Sequence, residues 1–263
     1  MVPSLIRKTL RDDRRALLGW AAGIGVFVAV YVSFYPTFRG DTLQARQNAV
    51  PEGFRDFLGA ADFTSGAGYL QATVYSLIPL ILLVLCATLL GNRAIAGPEE
   101  AGTLDLLLAN PVSRRRFVLQ RFAALAAGIV AVGVVPWVLV VLLEGRLDMG
   151  VGASNVSAAS LGMLLVALCF GTVAFAVGAA TGSKAAVLSV TGVLAVGTYV
   201  LNGLGGLVEG VRPLRWLSPF HYYLGGDPLH NGFQVGYLLV LVGIVVVLVA
   251  VAAVTFERRD VGV

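Results

Sequence analysis

The sequence predicts an all-α integral membrane protein with six transmembrane helices, on three observations. Its 263 residues are 57% hydrophobic and only 13% charged, well below the roughly 25% charge of a soluble domain, and its mean hydropathy is +0.85. Six apolar windows, roughly 17–38, 68–92, 117–143, 157–181, 185–208 and 233–255, each approach or exceed the ~20 residues a helix needs to cross hydrocarbon. The basic residues behind the net charge of +4 stand as short flanks beside those windows. That is how topology signals are placed, and it leaves no face suited to nucleic acid.

The whole chain, 1–263, forms one transmembrane domain, and an even number of spans puts both termini on one side. The flanks of that side hold Arg7, Lys8, Arg11, Arg14 and Arg15, then Arg93, Arg114, Arg115, Arg116 and Arg121, then Lys184, Arg258 and Arg259. The opposite side holds only Arg39, Arg46, Arg55, Arg146, Arg212 and Arg215. By the positive-inside rule the termini and the 93–116 loop are cytoplasmic, and 39–67 and 209–232 are outer loops.

Within residues 1–16, Val2, Leu5, Ile6, Thr9 and Leu10 share one helical stripe opposite Arg and Asp residues. The stripe suits a helix lying in the inner headgroup layer; a simple basic stop before the span is the alternative. Asp12 and Asp13, with no small-x-small cleavage site, make the first window a retained span and not a signal peptide. In the outer loop 39–67, Phe54, Phe57, Leu58 and Ala61 recur at helical spacing and predict a short interfacial helix. Pro79 and Pro136 predict kinks in the second and third spans. The pairs Gly19/Gly23 and Gly178/Gly182 predict close helix packing. In the outer loop 209–232, Trp216, Phe220, Tyr222 and Tyr223 suit membrane-interface depth. Cys86 and Cys169 lie inside apolar runs, as small packing residues do.

The span centres carry no Asp, Glu, Lys, Arg or His; Glu144, Lys184 and Glu209 stand at or beyond span ends. Ion-coupled carriers usually show ionisable groups there, so an autonomous carrier of this sequence would be left with backbone and hydroxyl ligands. A hydrolase would need a nucleophile with its base or a metal cluster, and the only histidines, His221 and His230, sit in an outer loop. The stretch "GAATGSKAAV" from Gly178 imitates a phosphate-binding loop but has three residues between its glycines and Ser183 before Lys184. Neither the backbone cradle nor the lysine reach of such a loop is met. No catalytic residue, metal site or cofactor is expected in this chain.

The segment "GPEEAGTLDLLLANPVSRRRF", Gly97 to Phe117, interrupts the apolar pattern. Gly97-Pro98 is expected to break the second span, and Glu99 and Glu100 to open a new short helix where acids complement the dipole. Leu104, Leu107 and Leu108 form a ridge, Asn110-Pro111 ends the helix, and Ser113 is a candidate N-cap for the third span. The ridge either packs under the chain's own helices or forms a docking surface. Arg114, Arg115 and Arg116 then sit in a first turn, where cations are disfavoured and need a partner.

This loop resembles the cytoplasmic signature of membrane subunits of type-2 ATP-binding-cassette exporters, and the resemblance extends over most of the chain. It takes in the basic N-terminus, "PEGFRDFLG" leading to "GYL", the six-span layout, "LSPFHYYLGGDPLHNG" and "FERRD". The resemblance implies a coupling helix that docks on a separate ATPase subunit, with Glu99, Glu100, Gly102, Thr103, Leu104, Asp105, Leu107, Leu108 and Pro111 at the contact and Arg114 and Arg115 flanking it. ATP and Mg would be bound by two copies of that partner. A second permease copy, or a similar permease, would complete the pathway within membrane lipid. The resemblance also implies an outer gate, a re-entrant hairpin involving Trp216, Pro219, Phe220, Tyr222 and Tyr223. The expected cargo is hydrophobic or amphipathic. A subunit that only transmits motion to an outer partner, and an autonomous carrier or channel, are the alternatives.

Overall fold

The computed structural model describes residues 3–38, 65–100, 102, 113–207 and 209–259. Six of its helical stretches are long and apolar enough to cross a membrane: Arg14–Thr37, Gly66–Ala94, Arg114–Leu147, Ala153–Thr181, Lys184–Gly205 and Val235–Arg258. The helix expected around Phe54 to Ala61 falls outside the described residues.

The amphipathic N-terminal stretch is α1 (Pro3–Asp12), and α2 (Arg14–Ser33) follows after the single residue Asp13. Both pack on α6 (Arg114–Leu147). The second span is assembled from a short α3 (Gly66–Leu70), a π-helical turn at Gln71–Tyr75, and α4 (Ile78–Ala94). After α6 come α7 (Ala153–Thr181) and α8 (Lys184–Leu207), joined by a tight turn at Gly182. The chain then passes through a 3₁₀ stretch (Glu209–Leu217), α9 (Pro219–Leu224) and α10 (Pro228–Asn231) to α11 (Val235–Arg258).

The bundle is organised around α7, which touches α4, α6, α8, α9, α10 and α11. Its span is 72% buried, against 17% for the fifth span. Lipid is as apolar as leucine, so burial alone does not drive these helices together; close packing does. A close backbone approach between spans occurs where α4 meets α7. A Cβ on Gly91 would run into the Gly171 carbonyl oxygen and lie 2.8 Å from Ala174 Cβ, and one on Gly171 would lie 3.2 Å from Ala87 Cβ on α4 and 2.9 Å from Ile129 Cδ1 on α6. Gly19 and Gly23, expected to serve this purpose, have nothing within 4 Å. Their face of α2 is open in the single chain.

Two proline expectations separate. Proline has no N–H and its ring crowds the carbonyl four residues earlier, which for Pro79 is Tyr75. The second span does more than kink there: Leu77 has φ −122° and ψ −115°, and Pro79 sits in the first turn of a fresh helix. Pro136 lies inside α6, which runs on without a break to Leu147. The break expected at Gly97-Pro98 occurs earlier, at Ile95 (φ −128°, ψ −59°). Gly97 and Pro98 belong to α5 (Ala96–Glu100), because a proline in the first turn costs no helical hydrogen bond. Glu99 stands in the first turn of this five-residue helix, as expected, and Glu100 is its last residue. Ser113 has the extended backbone of an N-cap but its side chain makes no capping bond.

At the other end of the molecule Asp148 (φ 51°) closes α6. Glu144 Oε1 accepts from the Val151 and Gly152 amides at 3.2 and 3.0 Å, satisfying donors that lead into α7. Cys86 and Cys169 are free and buried.

Replacing Gly91 by Ala is expected to cost about 1–3 kcal/mol through overpacking, measured as a lowered thermal midpoint in detergent. Gly19→Ala, in open space, should leave the midpoint unchanged; equal effects of the two would remove the α4/α7 contact as the tight point.

Candidate functional site

Four helix ends meet beside the 93–116 loop. Glu99, one residue before the end of α5, receives the Arg259 guanidinium in fork geometry: Arg259 Nη1 donates to Glu99 Oε2 at 3.1 Å and Nη2 donates to Oε1. Both side chains are mostly buried, 18% and 24% exposed. The same guanidinium approaches the Ala179 carbonyl near the end of α7 at 3.5 Å. Arg114, at the start of α6, donates to the Arg259 carbonyl at 2.7 Å. Arg259 thus joins the end of α11 to the ends of α5, α6 and α7.

Glu100 extends the node to α8. Its Oε1 accepts from the Lys184 amide at 2.7 Å and its Oε2 lies 3.3 Å from Lys184 Nζ. An acid at the C-terminal end of α5 is poorly placed for that helix's dipole but well placed for the N-terminal end of α8. The Lys184 amide, with its ammonium, holds the Glu100 carboxyl below the usual carboxylate range. The turn between α7 and α8 must be glycine: Gly182 has φ +66°, and a Cβ there would collide with the Glu99 carboxylate and the Arg259 guanidinium. Arg115 pairs only loosely, 3.9 Å from an exposed Glu257. Gly102 has φ +64° and donates to the Glu99 carbonyl. Thr103, Leu104, Asp105, Leu107, Leu108 and Pro111 lie outside the described residues.

The residues of the 209–232 loop form a second site. Ser218 Oγ donates to the Thr198 carbonyl at 2.9 Å, nine residues back from the end of α8, or about 14 Å at 1.5 Å per residue. Phe220 packs on Tyr199 and on Phe170, in the middle of α7. The chain then climbs back, and Asn155 at the start of α7 donates to the Leu229 carbonyl. The segment re-enters the bundle. Phe220 and Tyr223 are each 3% exposed, while Trp216 is 57% exposed. Tyr222 donates to the Trp216 carbonyl at 2.8 Å, and Pro219 opens α9. Next to them His221 is partly buried with both ring nitrogens unpartnered. Burial and the nearby Arg215 lower its pKa and keep it neutral.

The re-entrant helix and the broken second span complete each other. Tyr223 donates to the Tyr75 carbonyl, the group Pro79 displaces, at 2.9 Å. Tyr199 donates to the Ser76 carbonyl at 2.7 Å, and the Tyr75 hydroxyl is bonded to Ser160 on α7 at 2.9 Å. Between the two sites an apolar cavity of about 410 Å³ separates α4 from α8, lined by Leu80, Val84, Leu188 and Val196 among others, with Phe220 lining it as well. Its polar groups are Thr88, whose hydroxyl is spent on the Val84 carbonyl, Tyr199, and Thr191, whose hydroxyl is unpaired. No group of acids, histidines and cysteines that could hold a metal occurs among the described residues.

The sequence singles out Glu99, Glu100, Arg114, Phe220 and Tyr223, as an ATPase contact and an outer gate, but assigns no site role to Arg259, Lys184, Tyr75 or Tyr199. The available signal for Arg259 was its position: a cation at the exit of the last span, on the same membrane side as an acidic pair. The family model described as ABC-2 family transporter protein matches residues 4–261. No curated protein matches the chain.

Two outcomes check this geometry. Glu99→Gln and Arg259→Ala should be non-additive in a double-mutant cycle on thermal stability, with a coupling of about 1–3 kcal/mol, whereas the exposed Arg115 and Glu257 pair should show ~0–1 kcal/mol. Additive effects at Glu99 and Arg259 would dissolve the node. Because the folded pKa of Glu100 is depressed, its contribution is present above the unfolded carboxylate pKa of about 4.3 and is lost as pH falls through the lower folded value. Hydrogen-exchange protection of the Lys184 amide, corrected for intrinsic rates, should hold at pH 5 and fall away only as the pH drops below the unfolded carboxylate value of about 4.3.

Proposed function

The chain belongs to the ABC-2 transporter family as a membrane permease, and from that premise we propose that it is one half of an ATP-driven exporter of hydrophobic or amphipathic molecules. A separate ABC subunit, in two copies with ATP and Mg, supplies the energy, and this chain supplies the path. Both termini and the 93–116 loop face the cytoplasm in this reading.

The observation that carries it is the charge node. A motor docked on the loop of Leu104, Leu107 and Leu108 would push α5, and Arg259 ties α5 to α6, α7 and α11 while Glu100 ties it to α8. A displacement of the loop is then shared by spans three to six as a rigid-body motion instead of dissipating in a flexible linker. In the free chain Glu99 and Glu100 are already held by its own cations, so in this reading they act as transmission and leave the leucine ridge and Asp105 for the partner.

The apolar cavity between α4 and α8 fits the cargo class, because its lining offers few hydrogen bonds and no charge. The outward row Val193, Val196 and Leu204 on α8 is exposed in one chain, and a second permease copy set against it would turn two cavities into one pathway. Phe220, held by the re-entrant segment, would close that pathway until the bundle tilts.

Purification of the chain from its native membrane in mild detergent should recover an ABC ATP-binding subunit, identified by mass spectrometry. Leu107→Glu should lose that subunit while keeping normal helicity. Arg259→Ala should keep it, yet lower transport at least tenfold for the same ATPase activity. Normal recovery with Leu107→Glu would sink the docking role, and absence of any ATPase with the well-folded native chain would leave the permease without its motor.

A further inference from the structure

A second cavity, of about 450 Å³, lies where α1 meets the loop-side ends of α4 and α6. Its lining is of two kinds. Leu10, Leu17, Leu90, Ala124 and Leu125 make one part apolar, and Lys8, Asp12, Asp13, Arg93 and Arg121 make the other ionic. Nothing in the loop node or the re-entrant site uses these residues.

Arg121 is the unusual member. It is 9% exposed, two turns inside α6, and its guanidinium stands over the Phe117 ring at 5.3 Å. Among the described residues its only hydrogen bond runs from Nη1 to Thr9 Oγ1 at 3.2 Å, and its Nε is buried without a partner. A guanidinium so far from water is costly unless an anion and further acceptors meet it. Asp13 and Asp12 favour its charge from beyond contact distance, but neither bonds to it: Asp13 is paired with Arg93 at 3.6 Å, and Asp12 forms no ion pair among the described residues. The cavity therefore holds a guanidinium with one hydrogen bond together with Lys8 and Asp12, which have no ion pair among the described residues, beside an apolar wall.

We propose that this cavity binds the headgroup of a phospholipid carrying a primary amine. The phosphodiester sits on Arg121 and Lys8, the ammonium on Asp12, and the glycerol and upper acyl chain run along Leu90, Ala124 and Leu125. A guanidinium matches two phosphate oxygens with parallel N–H donors. A carboxylate takes N–H donors that a primary ammonium has and a quaternary ammonium lacks. The apolar wall selects an amphiphile over a free anion, and the amphipathic α1 sets the cavity at the headgroup level. The bound lipid would wedge α1 against α4 and α6, independent of whatever the transporter carries.

The test uses the full chain in detergent, native mass spectrometry, and synthetic phosphatidylethanolamine, phosphatidylcholine and phosphatidylglycerol with identical acyl chains. One phosphatidylethanolamine should be retained in preference to the other two. Arg121→Gln should reduce that retention at least tenfold, and Arg121→Lys less. Asp12 is exposed at the end of α1, so Asp12→Asn leaves the fold intact; it should abolish the preference for ethanolamine over choline while lipid still binds. Equal retention of ethanolamine and choline lipids by the native chain would overturn the proposal, as would unchanged retention in a folded Arg121→Gln. Displacement of the lipid by glycerophosphoethanolamine at equal concentration would assign the site to a soluble phosphodiester and refute a lipid site.

Discussion

A backbone carbonyl released inside a bilayer has no water to accept from, and the upper half of this protein is arranged around that constraint. Pro79 denies the Tyr75 carbonyl its helical partner, and the Ser76 carbonyl is freed beside it. Both are taken by phenols from distant elements, Tyr223 on the re-entrant helix and Tyr199 on α8. The break in the second span and the excursion of the outer loop are thus one structure. Straightening the span would leave Tyr223 and Tyr199 without acceptors, and withdrawing the loop would strand the Tyr75 carbonyl.

The lower half follows an electrostatic version of the same logic. Helix ends expose partial charges, and the loop side gathers the ends of α5, α6, α7, α8 and α11 in one place. Arg114 begins a helix and is unfavourable there by itself, while Glu100 ends one and is equally misplaced. Arg259 and Lys184 turn these misfits into a connected set. Local dipole penalties are offset by contacts between spans, so the node is stable only while the helix ends stay together. Such an element is suited to moving as a unit.

Between the halves, the α4/α7 contact through Gly91 and Gly171 forms a closely packed spine, and α8 stands away from it with an apolar gap behind. α4 is thus tightly packed on its α7 side and faces the cavity on its α8 side. Phe220 lines this gap from the re-entrant segment, linking that segment to the cavity.

Composition and hydropathy were enough to give six spans, their order and their charge asymmetry, because crossing hydrocarbon imposes a length and polarity that any window of sequence displays. The loop motif was enough to indicate the family, since it is contiguous. Sequence periodicity also marked α1 and the acidic pair. It misplaced the break after the second span by two residues and chose Gly19 and Gly23 for close packing, because local composition does not say which face of a helix meets a neighbour. The partners of Glu99, of the Tyr75 carbonyl and of Arg121 lie 160, 148 and 112 positions away. Pairings across that distance have no signature in spacing; only the tertiary structure decided them, by bringing together the ends and broken points of helices whose polar groups had no other partner in a lipid environment.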